Sequence, residues 1–192
     1  MEHLSLKVIR NEHSALAAML RSLVLLIDRG PSDQPQKYFD VVRAMLFYID
    51  EFPERLHHPK ETKLLFPKVV ARAPHVAGTV ERLDHDHHQG EASVRNLQHQ
   101  LLAWELLGEC RRGEFETAAR RYVDFYLEHM RLEEAVILPE ALKTLTAEDW
   151  HELDAAFAAN DDPLADKARR HPQFERLFTR IVTNAPAPIG LG

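Results

Sequence analysis

Apolar residues recur at intervals of three and four along most of the chain, which is the spacing of one face of an amphipathic α-helix. No stretch alternates apolar and polar residues as a half-buried β-strand does. We predict an all-α fold, an up-down-up-down four-helix bundle in which four long helices bury these faces together. The predicted helices run from about Leu4 to Asp28, from Pro35 towards Arg72, from near Pro74 through Trp104, and from about Glu114 to Leu145.

Two prolines interrupt the apolar pattern of the second predicted helix. Pro53 and Pro59 each lack the backbone N–H that a helix uses, and their rings crowd the preceding turn. We therefore expect this helix to kink or to split before Arg72.

A shorter helical region follows the four long patterns. Thr146, with Asp149 three residues later, has the spacing of a helix N-cap and predicts a short helix after it. We divide the chain into a four-helix bundle of residues 1–145 and a C-terminal helical extension of residues 146–192. The extension is expected to pack on the bundle and not to form a separate domain.

Composition limits the kinds of ligand. The 192 residues carry a net charge of -6 without a block of Lys or Arg, which argues against nucleic acid and anionic membrane as partners. The N-terminus lacks the basic and then apolar layout of a signal peptide, so we expect a cytoplasmic protein. A single cysteine, Cys110, excludes an internal disulfide and a thiolate cluster. Histidine and carboxylate are therefore the metal ligands to consider.

Two segments of the chain share one layout. His57-x-x-x-Glu61 is followed by Leu-Phe-Pro and His129-x-x-x-Glu133 by Ile-Leu-Pro, and a shift of 72 residues places one segment on the other. In a helix each pair occupies one face, one turn apart. This face should be buried, where charged groups are costly unless something binds them. The shift also indicates a helix pair used twice.

The predicted inward faces of the four helices carry four imidazoles and two carboxylates. A lone inward histidine is more often structural, and either His/Glu pair alone could be an ion pair, but six such groups together favour a metal site. The set suits Fe, Mn or Zn; two carboxylates able to bridge suggest two ions, and open coordination positions suggest dioxygen or peroxide chemistry. We assign no catalytic residue. The predicted metal ligands are His13, His57, Glu61, His87, His129 and Glu133.

Several neighbouring side chains stay open as additional ligands. His58 follows His57 directly, and in a straight helix its side chain points about 100° away. The 72-residue shift pairs His13 with His85, whereas the hydrophobic register of the third helix places His87 inward. We follow the register, because burial decides which histidine can bind a metal. The open alternatives are His58, His85, His88 and Glu134.

The chain resembles the bacterial hemerythrin-like, or HHE cation-binding, domains over about residues 5–145. The matching motifs are Asn11-Glu12-His13, His57-His58-Pro59-Lys60-Glu61 with Leu65-Phe66-Pro67, Asp86-His87-x-x-Gly90, and His129-x-x-x-Glu133-Glu134 with Leu138-Pro139. The resemblance implies a hemerythrin-like bundle that holds two non-haem Fe ions, bridged by carboxylates and an oxo or hydroxo group.

The resemblance also has a departure. Oxygen-carrying hemerythrins have five histidines and two carboxylates, and Glu91 stands here where they have a second histidine of the third helix. We expect a protein that binds dioxygen or a related small oxidant, as a carrier, store or sensor, and whether it is an enzyme stays open. One alternative is a di-iron enzyme that consumes peroxide or oxidises iron, although Glu54-x-x-His57 supplies one Glu-x-x-His element and its second copy is missing. Another alternative is a bundle held together by its metal that binds a protein through residues 146–192. Whether the protein forms a homodimer stays open.

Overall fold

The computed structural model describes residues 3–160, 162, 164 and 172–192, which form helices and short turns with no strand among them. Four long helices are followed by two shorter ones. We number them α1 (Leu4–Arg29), α2 (residues 35–72), α3 (Ala77–Leu107), α4 (residues 112–144), α5 (Ala147–Phe157) and α6 (Glu175–Asn184). None of these helices combines the length and apolar character needed to cross a membrane.

The helix α2 continues through its prolines without a split. It consists of α-helical and wider π-helical segments in alternation, namely Pro35–Ile49 (α), Asp50–His57 (π), His58–Lys60 (α), Glu61–Leu65 (π) and Phe66–Arg72 (α). Pro53 lies inside the first π segment and Pro59 follows its end. A π turn gives the proline ring more room and tolerates its missing donor, and such turns are frequent at functional sites.

The 72-residue repeat extends to the backbone conformation. In α2 the π segment Glu61–Leu65 leads into the α segment Phe66–Arg72. In α4 the π segment Glu133–Ile137 leads into the α segment Leu138–Thr144, 72 residues later at every boundary. A proline is the second residue of both α segments. In both helices the carboxylate of the His-x-x-x-Glu pair therefore begins a widened turn. The first part of α4 is the α segment Arg112–Leu132.

The four long helices are joined in a ring, because α1 contacts α2 and α4, and α3 contacts the same two helices. Two apolar clusters fill the ring. The Trp104 cluster includes Leu23, Met45, Leu101, Trp104 and Phe115, and the Phe66 cluster includes Ile9, Phe66, Val69, Leu83 and Ile137. Each long helix passes from one cluster to the other, and the predicted ligands lie where it does so. A polar layer thus separates two apolar clusters.

The short helices α5 and α6 contact different long helices. Helix α5 contacts α1, and α6 contacts α2. The structure confirms the predicted N-cap of α5, because the Thr146 hydroxyl accepts the backbone N–H of Asp149 while the Asp149 carboxylate accepts that of Thr146. Phe157 at the end of α5 joins the Phe66 cluster, and Ile181 of α6 joins the Trp104 cluster.

Candidate metal centre

The six predicted ligands come together in the polar layer, where each side chain is buried. His87 has the largest exposed fraction of the six, at 6%. A seventh side chain that could bind a metal, His58, is 4% exposed and lies among them. The seven side chains form two groups whose potential ligand atoms lie within 4.8 Å of one another, one of three histidines and one of two histidines and two carboxylates.

The first group, the three-histidine cluster, consists of His58, His87 and His129. The Nε2 atoms of His87 and His129 are 3.1 Å apart, and the ring of His58 stacks on that of His87 at a centroid distance of 4.2 Å. Burial and the neighbouring histidines hold the pKa of His58 well below its usual value. Its imidazole is therefore neutral at pH 7, which is the form that binds a metal.

The second group, the mixed cluster, consists of His13, His57, Glu61 and Glu133. His13 Nε2 lies 3.2 Å from Glu133 Oε2, and His57 Nε2 lies 3.0 Å from Glu61 Oε1. Burial alone would lower the pKa of His13, but the neighbouring carboxylates of Glu133 and Glu134 outweigh it and raise the pKa to about 9. Without a metal, the mixed cluster therefore carries a proton on His13 at neutral pH.

The two carboxylates connect the clusters. Glu61 directs Oε1 to His57 in the mixed cluster, and its Oε2 lies 3.5 Å from Nε2 of His87 in the three-histidine cluster. Glu133 does the same, because its Oε2 faces His13 and its Oε1 lies 3.5 Å from Nε2 of His129. Each carboxylate thus presents one oxygen to each cluster, as a ligand bridging two cations would.

These carboxylates are poorly satisfied by the protein itself. All four oxygens of Glu61 and Glu133 are buried and have no hydrogen-bond partner among the described residues. Burying an unpaired carboxylate is strongly unfavourable, and close histidines outside hydrogen-bond geometry compensate it only in part. Two cations between the carboxylates would remove the deficit, so the residues present fit a two-metal centre.

The histidine Nδ1 atoms face outward, away from the centre, and carry partners of their own. Such partners fix the tautomer and the ring orientation of a metal-binding histidine. Four of the contacts are hydrogen bonds: His13 to Glu134 (3.0 Å), His57 to Glu12 (2.6 Å), His58 to Glu54 (3.0 Å) and His87 to Thr62 (2.9 Å). The fifth histidine, His129, has its Nδ1 3.5 Å from Asp86, outside hydrogen-bond geometry.

Glu54 is held by two tyrosines. Its Oε2 faces His58, and its Oε1 accepts hydrogen bonds from the hydroxyls of Tyr122, at 3.2 Å, and Tyr126. Burial raises the pKa of Glu54 to about 7. Gly90 of α3 makes this arrangement possible, because a Cβ at that position would lie 1.8 Å from the Tyr126 hydroxyl oxygen.

Replacing Gly90 with alanine is therefore expected to destabilise the protein by about 1–3 kcal/mol, because a buried tyrosine ring must move away from Glu54. Gly78 in the same helix is the matched control, since a Cβ there meets nothing within 4 Å. Gly78→Ala should be neutral or stabilising by up to about 1 kcal/mol, as expected from helix propensity. Urea unfolding of both variants measures the difference, and equal stabilities would contradict the proposed contact.

A cavity of about 200 Å³ lies between α2 and α3 and reaches the three-histidine cluster. His58 and His87 form part of its wall, and Lys63 and His88, both exposed, lie on its solvent side. Its volume suits a small molecule. The structure thus provides a route from the surface to one cluster.

The structure shows where the four additional ligand candidates lie. His58 lies in the three-histidine cluster, whereas His85 and His88 are exposed, and Glu134 contacts the outer nitrogen of His13. Helical spacing leaves His58 outside the six, because in a straight helix it points away from His57. That divergence directs the two neighbouring side chains to different clusters, and both are buried in the polar layer.

Metal affinity is expected to fall as the pH is lowered. In the metal-free protein His13 has a pKa of about 9, so below that pH an ion must displace its proton. Each displaced proton weakens binding about tenfold per pH unit, so the His13 proton alone contributes about a hundredfold between pH 8 and pH 6. Anaerobic competition between the protein and a ferrous chelator measures this slope. An affinity independent of pH would contradict protonation of the mixed cluster.

Comparison with known proteins agrees with this geometry. None of the curated proteins compared with the chain matches it. A family model, the hemerythrin HHE cation binding domain, matches residues 4–141, which is well over half of the chain and contains all seven buried donors. The chain belongs to the hemerythrin HHE cation-binding domain family.

Proposed function

We propose that the protein is a non-haem di-iron protein that binds dioxygen or a related small oxidant and acts as a carrier, store or sensor. His58, His87 and His129 would hold one ion, His13 and His57 the other, and Glu61 and Glu133 would bridge them. When bound, the pair of irons supplies reversible redox chemistry and open coordination positions for a small oxidant. The observation that carries the proposal is the pair of buried carboxylates with one oxygen towards each cluster.

The number of histidines supports iron and oxygen binding. His58 raises the buried set to five histidines and two carboxylates, the number in the oxygen-carrying hemerythrins that this chain resembles. Glu91 occupies the position of their second α3 histidine, and His58 of α2 supplies the fifth imidazole instead. The number of histidine ligands is therefore the same, although Glu91 replaces one histidine of α3.

The surroundings of the centre also favour ligand binding. The cavity beside His58 and His87 gives a small oxidant access to the three-histidine cluster. The apolar clusters on both sides of the polar layer keep bulk water away from the rest of the centre. Exclusion of water limits side reactions at such a centre, such as hydrolysis and proton leakage.

The proposal includes the up-down-up-down order of the four long helices. Along the chain, α1 passes from the Phe66 cluster to the Trp104 cluster, α2 passes back, and α3 and α4 repeat the sequence. The ring of contacts and the short connections between the helices support the same order.

The experiment is an absorption spectrum and a metal analysis of protein loaded with iron. We expect two irons per chain and charge-transfer absorption of the ferric pair, which changes reversibly on reduction and re-exposure to oxygen. Many turnovers of hydrogen peroxide would instead indicate an enzyme. Zinc, or no metal after iron has been supplied, would indicate a metal-stapled or purely structural bundle.

A further inference from the structure

Asn160 connects the C-terminal extension to the metal centre. It lies after α5, is 7% exposed, and stands beyond residues 4–141, the part of the chain that the family model matches. Its Nδ2 is 2.9 Å from both carboxylate oxygens of Glu12. Glu12 Oε2 in turn lies 2.6 Å from Nδ1 of His57, one of the two histidines of the mixed cluster. A residue of the extension therefore touches the partner of a metal-binding histidine.

The orientation of the Asn160 amide follows from its neighbours. Lys60 Nζ donates a hydrogen bond to Oδ1 of Asn160, and an ammonium group has no lone pair with which to accept one. The amide oxygen must therefore face Lys60, which directs the NH₂ group to Glu12. Lys60 stands between His57 and Glu61 in α2, so both ends of the amide are tied to groups beside the ligands.

We propose that Asn160 is a positioning residue of the metal centre, which acts through Glu12 to hold the His57 imidazole with Nε2 directed at the mixed-cluster ion. The inference rests on the proposed function. Glu12 accepts the His57 N–H while the amide of Asn160 fixes the carboxylate in place. Outer contacts of this kind set the tautomer and orientation of a metal-binding histidine.

Docking of the extension does not require Asn160. The Tyr48 hydroxyl donates to Asp162 at 2.7 Å, and Phe157 packs in the Phe66 cluster. The empty space beside Asn160 and Glu12 has a volume of about 10 Å³, roughly the volume that one water probe occupies. Asn160 is thus held in a closed site, and its amide group can be tested separately from its packing.

The extension acts on one half of the centre. The outer partners of the three-histidine cluster are Glu54, Thr62 and Asp86, which all lie within the matched residues 4–141. Loss of the Asn160 amide should therefore weaken the mixed-cluster ion and leave the ion of the three-histidine cluster in place.

The test uses full-length protein loaded with ferrous iron and challenged with a ferrous chelator. Asn160→Asp keeps the size of the side chain and its contact with Lys60, but it replaces the donor to Glu12 with an acceptor. We expect one of the two irons to be released at least about tenfold more readily than in the wild type. Tyr48→Phe removes a hydrogen bond to the same segment without touching Glu12, and it should retain both irons.

A double variant distinguishes positioning of His57 from a purely structural role of Asn160, because only positioning predicts that iron retention recovers. Glu12→Gln combined with Asn160→Asp exchanges donor and acceptor, because the new amide can accept from His57 and donate to the new carboxylate. We expect this variant to retain iron better than either single variant. Mössbauer spectra of ⁵⁷Fe-loaded Asn160→Asp should show a single environment for the iron that remains.

Three results would overturn the inference: both irons retained equally in wild type and Asn160→Asp, equal losses in Asn160→Asp and Tyr48→Phe, or no recovery in the double variant. Wild-type protein that binds fewer than two irons would contradict the proposed function instead. If Asn160→Asp fails to fold, Glu12→Gln alone carries the test, with the same selective loss expected.

Discussion

Replacement of Glu133 by glutamine is expected to abolish stable binding of both metal ions, reducing the iron content from two to less than one per chain. Glu133 faces His13 of α1, His87 of α3 and His129 of α4, and its two oxygens are divided between the clusters. An amide has the same size but only one oxygen and no charge, so it cannot bridge two cations. Iron analysis after loading and desalting measures the loss.

Glu134→Gln is the matched control, since it changes the adjacent carboxylate in the same way. The Glu134 side chain is 47% exposed and contacts the outer nitrogen of His13 at 3.0 Å. We expect this variant to retain both irons, with affinity reduced by about tenfold at most, as expected for an outer contact. Equal iron contents in the Glu133 and Glu134 variants would contradict the assignment of Glu133 as a bridge.

Removal of the metal is expected to cause the second large effect, a pronounced loss of stability. A ligand that binds the folded state alone stabilises it by about 4 kcal/mol for each site when its free concentration is a thousand times its Kd. Without the ions, seven buried donors remain close together, and the oxygens of Glu61 and Glu133 lack hydrogen-bond partners among the described residues. The melting temperature should therefore fall on chelation and recover when ferrous iron is restored.

The metal-free protein should nevertheless keep its helices. The Trp104 and Phe66 clusters lie outside the polar layer and pack without any metal, and ion pairs such as His13–Glu133 partly compensate the buried charges. Circular dichroism before and after chelation tests this. An unchanged melting temperature would show that no metal binds to the folded state.

The helices and the position of the site could be predicted from hydrophobic spacing. The register of α3 placed His87 inward and His85 outward against the 72-residue repeat, and the structure has His87 buried and His85 exposed. Spacing succeeded here because a helix in a bundle presents one continuous face to the interior. The same reasoning located the two His-x-x-x-Glu pairs where α2 and α4 pass between the apolar clusters.

The spacing of hydrophobic residues could not predict other parts of the site. His58 lies off the face that contains His57, and a straight helix with a single buried face has no place for both. The π-helical segments that end at His57 and begin at Glu61 depend on prolines and on tertiary packing together. The contact of Asn160 with Glu12 joins positions 148 residues apart, which no local pattern can pair.

Anomalous diffraction at the iron edge, from crystals of iron-loaded protein, tests the central claim most directly. We predict two iron peaks per chain between Glu61 and Glu133, one beside His58, His87 and His129 and the other beside His13 and His57. Crystals of the same material in which these side chains pair only with one another, with no ion between the carboxylates, would contradict the account.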